Sequence, residues 1–279
     1  MKTLRILSLG AGVQSSTLAL MIEKGEVPMV DGAIFSDTMG EPTAVYEWLN
    51  WLKKQLSFPV YVVSKGSLIE DLKSSNNDVY KRGVSIPMFT KNKITGKKGI
   101  IRRACTTTYK IEVITKKIRE LLGVGYRKKV SKDTRVEMLM GISYDEIIRM
   151  KTNHLKYVTN TYPLVDKRMR RSHCLEWMKK NNYPTPPRSA CTFCPYHSNT
   201  EWKRIKENKK EWDNVVKLDG ILRSGLYGLE RKEVEYFLHK DCVPLDQADL
   251  RTNVEKGQPE LPWEDFGQLD NCDTGICGV

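Results

Sequence analysis

The run Leu4-Arg5-Ile6-Leu7-Ser8-Leu9 stops abruptly at Gly10-Ala11-Gly12, and this junction constrains the fold more than any other stretch. An apolar run of that length predicts a buried strand, and glycines directly behind it predict a turn. Leu18, Met21 and Ile22 then recur at spacings of three and four, with Gly25 as a stop, which predicts a helix. Strand, glycine loop and helix in that order open a βαβ arrangement.

The pattern repeats. Val30 to Ser36 reads as a second strand, Glu41-Pro42 opens a helix with Val45, Trp48, Leu49, Leu52 and Leu56 on one face, and Pro59 to Ser64 is a third strand. Ile111, Ile114, Ile118 and Leu121 mark another helix, followed by strands at Val136 to Ile142 and Tyr157 to Leu164 and a helix over Ser172 to Lys180. Such alternation predicts an α/β fold with a five-stranded, Rossmann-like parallel sheet and right-handed crossovers. Residues 65–104 are polar, basic and glycine-containing, and read as an insertion loop over one sheet edge. The α/β domain is expected over 1–182. A helical, cysteine-containing subdomain follows over 183–249, with helices near 199–223 and 230–239, and 250–279 reads as an extended tail.

Composition narrows the function classes. Of 279 residues, 40% are hydrophobic and 29% charged, which is a globular balance rather than a disordered one. No run of about 18 apolar residues is present, and Lys2 to Leu9 is too short for a signal peptide, so a soluble, cytoplasmic, non-membrane protein is expected. The net charge of +12 favours anionic partners, either nucleotides or a nucleic acid backbone. Seven cysteines, an odd number without an export signal, point to metal or redox chemistry rather than disulfides.

The loop from Ser8 to Thr17 has the parts of an anion cradle: glycines that let backbone N–H groups approach, hydroxyl side chains, and a helix N-terminus aimed at the ligand. Its spacing is neither G-x-x-x-x-G-K-[ST] nor a complete G-x-G-x-x-G, because Ser15 stands at the third glycine. The alternative is a tight strand-to-helix turn with no ligand, packed beneath its neighbours.

GAGVQSST resembles the SGGxDS PP-loop of ATP pyrophosphatases, with Gly10 and Ala11 in place of Ser and Gly and Gln14 in place of Asp. With Gln14 it is more similar to phosphoadenosine-phosphosulfate (PAPS) reductases, and the chain is identified as a phage-type member of the PP-loop, PAPS reductase family. That resemblance implies that Ser8, Gly10, Ala11, Gly12, Gln14, Ser15 and Ser16 hold ATP, PAPS or adenosine phosphosulfate, with magnesium as an accompanying ion. Phe35-Ser36-Asp37-Thr38-Met39-Gly40-Glu41 resembles the family's DTG segment, which implies that Phe35, Asp37 and Thr38 border the nucleotide. Asp37 would serve there as a catalytic group on a ribose hydroxyl or a metal ion. A helix-capping Asp37 is the structural alternative. Arg102, Arg103 and Lys110 lie in a stretch similar to the reductases' cysteine-to-lysine segment and suit an anionic substrate tail. Gly141 to Glu146, ending in Arg149, resembles the family's GIR…ES…R stretch, which adds Gly141 and Arg149, and Tyr162 to Asp166 resembles its PI(I/V)D strand end.

Cys191-Thr192-Phe193-Cys194-Pro195 lets one turn point two thiolates at one metal, and Pro after the second Cys is similar to iron–sulfur ligation. The resemblance implies a 4Fe-4S cluster on Cys105, Cys174, Cys191 and Cys194, with Thr106 filling the place of a second Cys beside Cys105. Zinc held with His197, and Cys174 as a buried small side chain, are the competing readings; a thioredoxin-like redox pair ranks below them, because the Cys pair follows a Pro-rich loop rather than a βα turn. Cys277-Gly278 is similar to the reductases' mobile tail, which nominates Cys277 as a catalytic nucleophile with Cys272 as a resolving thiol.

Three functions compete on these residues. One is a sulfur-handling reductase or sulfurtransferase, served by a thiol or electron-donor protein. Another is a PP-loop enzyme that modifies DNA or tRNA. The last is a non-catalytic nucleotide-sensing module.

Overall fold

The computed structural model describes residues 2–73, 86–101, 104–125, 127–223 and 233–257. They fall into two compact units, one built from the described residues up to Lys65 with those of Thr106–Ala190, the other from those of Gly66–Cys105 and those from Cys191 to residue 257. Each is considered in turn.

The first unit holds a five-stranded, all-parallel sheet. Its strands are β1 (Lys2–Leu9), β2 (Gly32–Asp37), β3 (Val60–Ser64), β6 (Thr134–Met140) and β7 (Val158–Thr161), in the order β3-β2-β1-β6-β7. β1 is central because it can be buried on both faces. Leu7 and Leu9 enter one core with Phe35, Leu139 and the helices α1 (Val13–Glu23) and α2 (Thr43–Lys53). Leu4 and Ile6 enter the other with Ile34, Val136, Met138 and the helix Glu112–Leu121 through Ile114 and Ile118. Alternate residues of one strand thus feed two cores, as a sheet covered on both faces requires. Nearly all of α1 is buried, which is why its sequence is apolar or small around the whole circumference.

The predicted alternation holds here, with one shift. Tyr157 to Leu164 is not strand throughout: β7 ends at Thr161, and Pro163, with its fixed φ and no N–H to give a ladder, starts the short helix Pro163–Asp166. Among the described residues, no helix is long and apolar enough to cross a membrane.

The second unit corrects two expectations. Residues 65–104 are not simply a loop, since they carry a helix at Leu68–Lys73 and the hairpin β4 (Phe89–Asn92) and β5 (Lys98–Ile100). The stretch near 230–239, read as helical, is the strand β8 (Val234–Phe237), paired antiparallel to β4 with Phe89 opposite Phe237. The three form a sheet in the order β5-β4-β8, beside the helices Asn199–Glu207 and Lys209–Arg223. Fully buried Asp219 ties this unit together: its carboxylate accepts the N–H groups of Leu238 and Leu245 at 3.0 and 3.1 Å and the Arg223 guanidinium at 3.0 Å.

Candidate functional site

Because all five strands run the same way, the loops behind β1, β2 and β6 gather at one sheet edge. The chain leaves β1 toward β2 on one side and returns to β6 on the other, so the β1–β6 boundary is the topological switch point where α/β sheets open a crevice. Gly10, Ala11 and Gly12 stand there. Ala11 has φ +57°, and Met39, in the loop behind β2, has φ +56°. A left-handed side-chain-bearing residue costs about 1 kcal/mol or more, and such strain concentrates at functional sites.

The glycine loop is covered. Ala11, Val13, Gln14, Ser15 and Ser16 are each exposed by 2% or less. Their side chains serve the protein first. Ser15 Oγ accepts the Gly10 N–H at 3.2 Å and faces the Gly12 carbonyl at 3.4 Å, and Ser16 Oγ accepts the Trp48 indole N–H at 2.9 Å. Ser8 and Phe35 are buried too, Phe35 as part of the core. Among the described residues, cavities of about 390 and 480 Å³ are lined by residues 150–162 and by residues 63–65 with 112–120. What remains for an anion is backbone: α1 begins at Gly12 with no side-chain cap and no acidic residue in its first turn. The first amides of a helix have no carbonyl four residues back, so they are donors in search of an acceptor.

Gln14 is tied into an internal hydrogen-bond network. Its amide nitrogen lies 3.4 Å from Ser143 Oγ and 3.3 Å from Glu146 Oε2, while its oxygen accepts from Arg171 Nη1 at 3.1 Å. Glu146 in turn accepts from Arg149 at 2.8 Å, both side chains being nearly buried. Arg149 therefore acts on Gln14 through Glu146, and the whole network locks α1 to the segment behind β6. Arg171 and Ser143 escaped sequence reasoning. Arg171 lies 157 residues from Gln14, and no local spacing announces such a bond.

At the end of β2, Asp37 Oδ1 accepts the Met39 N–H at 2.7 Å and the Tyr46 hydroxyl at 2.8 Å, an Asx-type turn rather than a helix cap, since α2 starts at Thr43 with Pro42 as its N-cap. Burial, with the Asp37 carboxylate next in weight, pushes the Tyr46 hydroxyl well above its ordinary range. Thr38 is buried beside it. Glu41, not nominated from sequence, is 7% exposed and accepts from Ser189 Oγ at 3.2 Å. Burial raises its carboxyl above the ordinary value, and the Lys110 ammonium opposes that shift. Lys110 is itself 8% exposed and sits in a π-helix, Thr106–Ile111, a rare form that often marks functional segments. Thr106 Oγ1, in the same turn, is buried with no hydrogen-bond partner among the described residues. Arg102 and Arg103 lie outside the described residues.

The four cysteines of the expected cluster are divided between the two units. Cys174 is fully buried on the helix Arg171–Lys180, within the apolar core of the first unit. Burial, with a contribution from the Asp145 carboxylate, pushes its thiol up to about 12. Cys105, Cys191 and Cys194 belong to the second unit, and no group of three His, Cys, Asp or Glu residues suited to a metal occurs among the described residues. His197 Nε2 lies 2.8 Å from the Cys191 carbonyl oxygen, which turns that nitrogen into the chain rather than toward a zinc ion. Cys272 and Cys277 fall outside the described residues.

Among solved structures the chain is similar to the phosphoadenylyl-sulfate (PAPS) reductase from Candida auris, in complex with phosphate, with a TM-score of 0.43 and 14% identity over 67% of this chain and 75% of that one. No protein-family model and no curated protein matches the chain. At this identity, what each residue does follows from its surroundings in this molecule.

Proposed function

We propose that the chain is a sulfur-handling enzyme that binds an adenine nucleotide, in the manner of sulfonucleotide reductases and sulfurtransferases. The observation that carries this reading is the glycine-entered, uncapped N-terminus of α1 at the switch point of a parallel sheet. Backbone N–H groups of residues 12–14 would take the anionic end of the nucleotide, since Gln14, Ser15 and Ser16 spend their side chains on internal bonds. Buried Lys110 would supply positive charge near the end of β2. Asp37, fixed by Tyr46 and the Met39 amide, would present its remaining oxygen to a ribose hydroxyl. The sulfur step would fall to a cysteine thiolate, with Cys277 as the candidate that the sequence offers.

Calorimetric titration of the wild-type protein with ATP, PAPS and adenosine phosphosulfate tests the reading. Saturable binding of at least one is expected, with loss in Gly12→Val while circular dichroism stays unchanged. Absence of binding for all three overturns it. The net charge of +12 favours a second reading, ATP-dependent modification of DNA or tRNA. That reading calls for tight nucleic acid binding that weakens steeply with salt.

A further inference from the structure

The segment Cys191–His197 belongs to no three-residue metal-binding group among the described residues, and its geometry suits another chemistry. The Cys194 N–H donates to the Cys191 carbonyl at 2.9 Å, and the His197 N–H to the Cys194 carbonyl at 3.2 Å. A bond from residue i+3 back to i closes a turn whose outer Cα atoms lie within about 7 Å, and a disulfide spans Cα separations of about 4.4–6.8 Å. The turn is held on both sides. Its spacer residues Thr192 and Phe193 are buried, at 8% and 1% exposure, and the Cys191 carbonyl takes a second bond from the His197 ring. Since a carbonyl can only accept, Nε2 carries the proton in that bond. The two thiols are unequally placed. Cys191 is partly exposed, whereas Cys194 is buried at 7% exposure. An accessible first thiol and a sheltered second one are what thiol–disulfide exchange uses, one to attack and one to resolve.

We propose that Cys191 and Cys194 form a dithiol–disulfide couple that exchanges two electrons with an external disulfide. In the oxidising direction the Cys191 thiolate attacks one sulfur of RS–SR, forming a mixed disulfide and releasing one RS⁻. The Cys194 thiolate then attacks the Cys191 sulfur, forming the intramolecular bond and releasing the second RS⁻. Two protons leave the protein with the pair of electrons that reduces RS–SR to two thiols. An external dithiol reverses both steps. This goes beyond the nucleotide reading and does not depend on it.

The test is anaerobic incubation of the purified, full-length protein with glutathione disulfide, followed by mass spectrometry, peptide mapping and iron and zinc analysis. Expected is loss of two hydrogens mapped to a Cys191–Cys194 bond, reversed by dithiothreitol. A change in tryptophan fluorescence should accompany it, because the Trp202 ring stands 4.8 Å edge-on from the His197 ring. Cys194→Ser, or Cys194→Ala if that variant misfolds, should stop at a glutathione adduct on Cys191, and Cys191→Ser should give neither product. Stoichiometric iron or zinc that is lost in these variants overturns the proposal. So does a disulfide from either thiol to Cys105, Cys272 or Cys277, or failure of the wild-type protein to oxidise at all.

Discussion

Gly141 lies flat against Ser15: a Cβ built on Gly141 would stand 2.7 Å from the Ser15 Cα and 2.8 Å from its amide nitrogen. Backbone cannot yield as a flexible side chain does, so Gly141→Ala must push the segment behind β6 away from the first turn of α1. Destabilisation of about 1–3 kcal/mol is expected from the overpacking. Nucleotide affinity should fall further than in a core variant of equal stability loss. Denaturant unfolding alongside calorimetric titration checks both.

Glu146 bridges Gln14 and Arg149, and Glu146→Ala removes the carboxylate from a nearly buried ion pair. Breaking such a pair from one side costs about 3–5 kcal/mol, because the other charge loses its compensation. A double-mutant cycle with Gln14→Ala should return a coupling of about 0.5–3 kcal/mol, and strict additivity would count against the network.

Cys174→Ser separates core residue from metal ligand. The hydroxyl enters an apolar core, so a loss of about 1–3 kcal/mol is expected in thermal or denaturant unfolding. Iron and zinc content should match the wild type. A drop in bound metal would show that Cys174 is a ligand after all.

His239 sets a pH dependence. Its Nε2 bonds Asn199 Oδ1 at 3.1 Å while Nδ1 accepts the Asp241 N–H at 3.2 Å, so the neutral ring is satisfied at both nitrogens. Burial chiefly holds its pKa below the ordinary 6.5; the Asp241 carboxylate opposes this, Lys240 and Lys256 reinforce it, and Asp219 opposes it weakly. Below 6.5 the unfolded chain binds a proton that the folded ring refuses, so stability falls with pH from that point down to the folded pKa. Unfolding midpoints measured from pH 8 to 5 should show this fall in the wild type and a shallower one in His239→Gln.

Much of the first unit was legible because its signals are local. Leu4 to Leu9 against Gly10, and Val136 to Met140 after a polar stretch, announce strands by apolar runs alone. β4, β5 and β8 were not legible: Phe-Thr-Lys-Asn and Lys-Gly-Ile have no apolar run, and Val234 to Phe237 fits a helix or a strand equally until Phe89 is seen opposite Phe237. The candidate site divides along the same line. Its glycine loop is a contiguous pattern and was read, whereas the occupation of Gln14 by Glu146 and Arg171 depends on partners over a hundred residues away. Burial of Cys174 was not legible either, because a cysteine on the inner face of a helix and one that faces a metal look the same in sequence.

The antiparallel pairing of Phe89–Asn92 with Val234–Phe237 joins stretches of chain lying on either side of most of the first unit's second half. No single cut can release either unit whole. Cleavage near residue 183 would strand the β4–β5 hairpin with one ladder of amides and carbonyls unmet, an edge prone to pair with other chains. During synthesis that edge must wait for some 140 further residues before its partner exists, which makes the closing of β8 onto β4 a late event in folding.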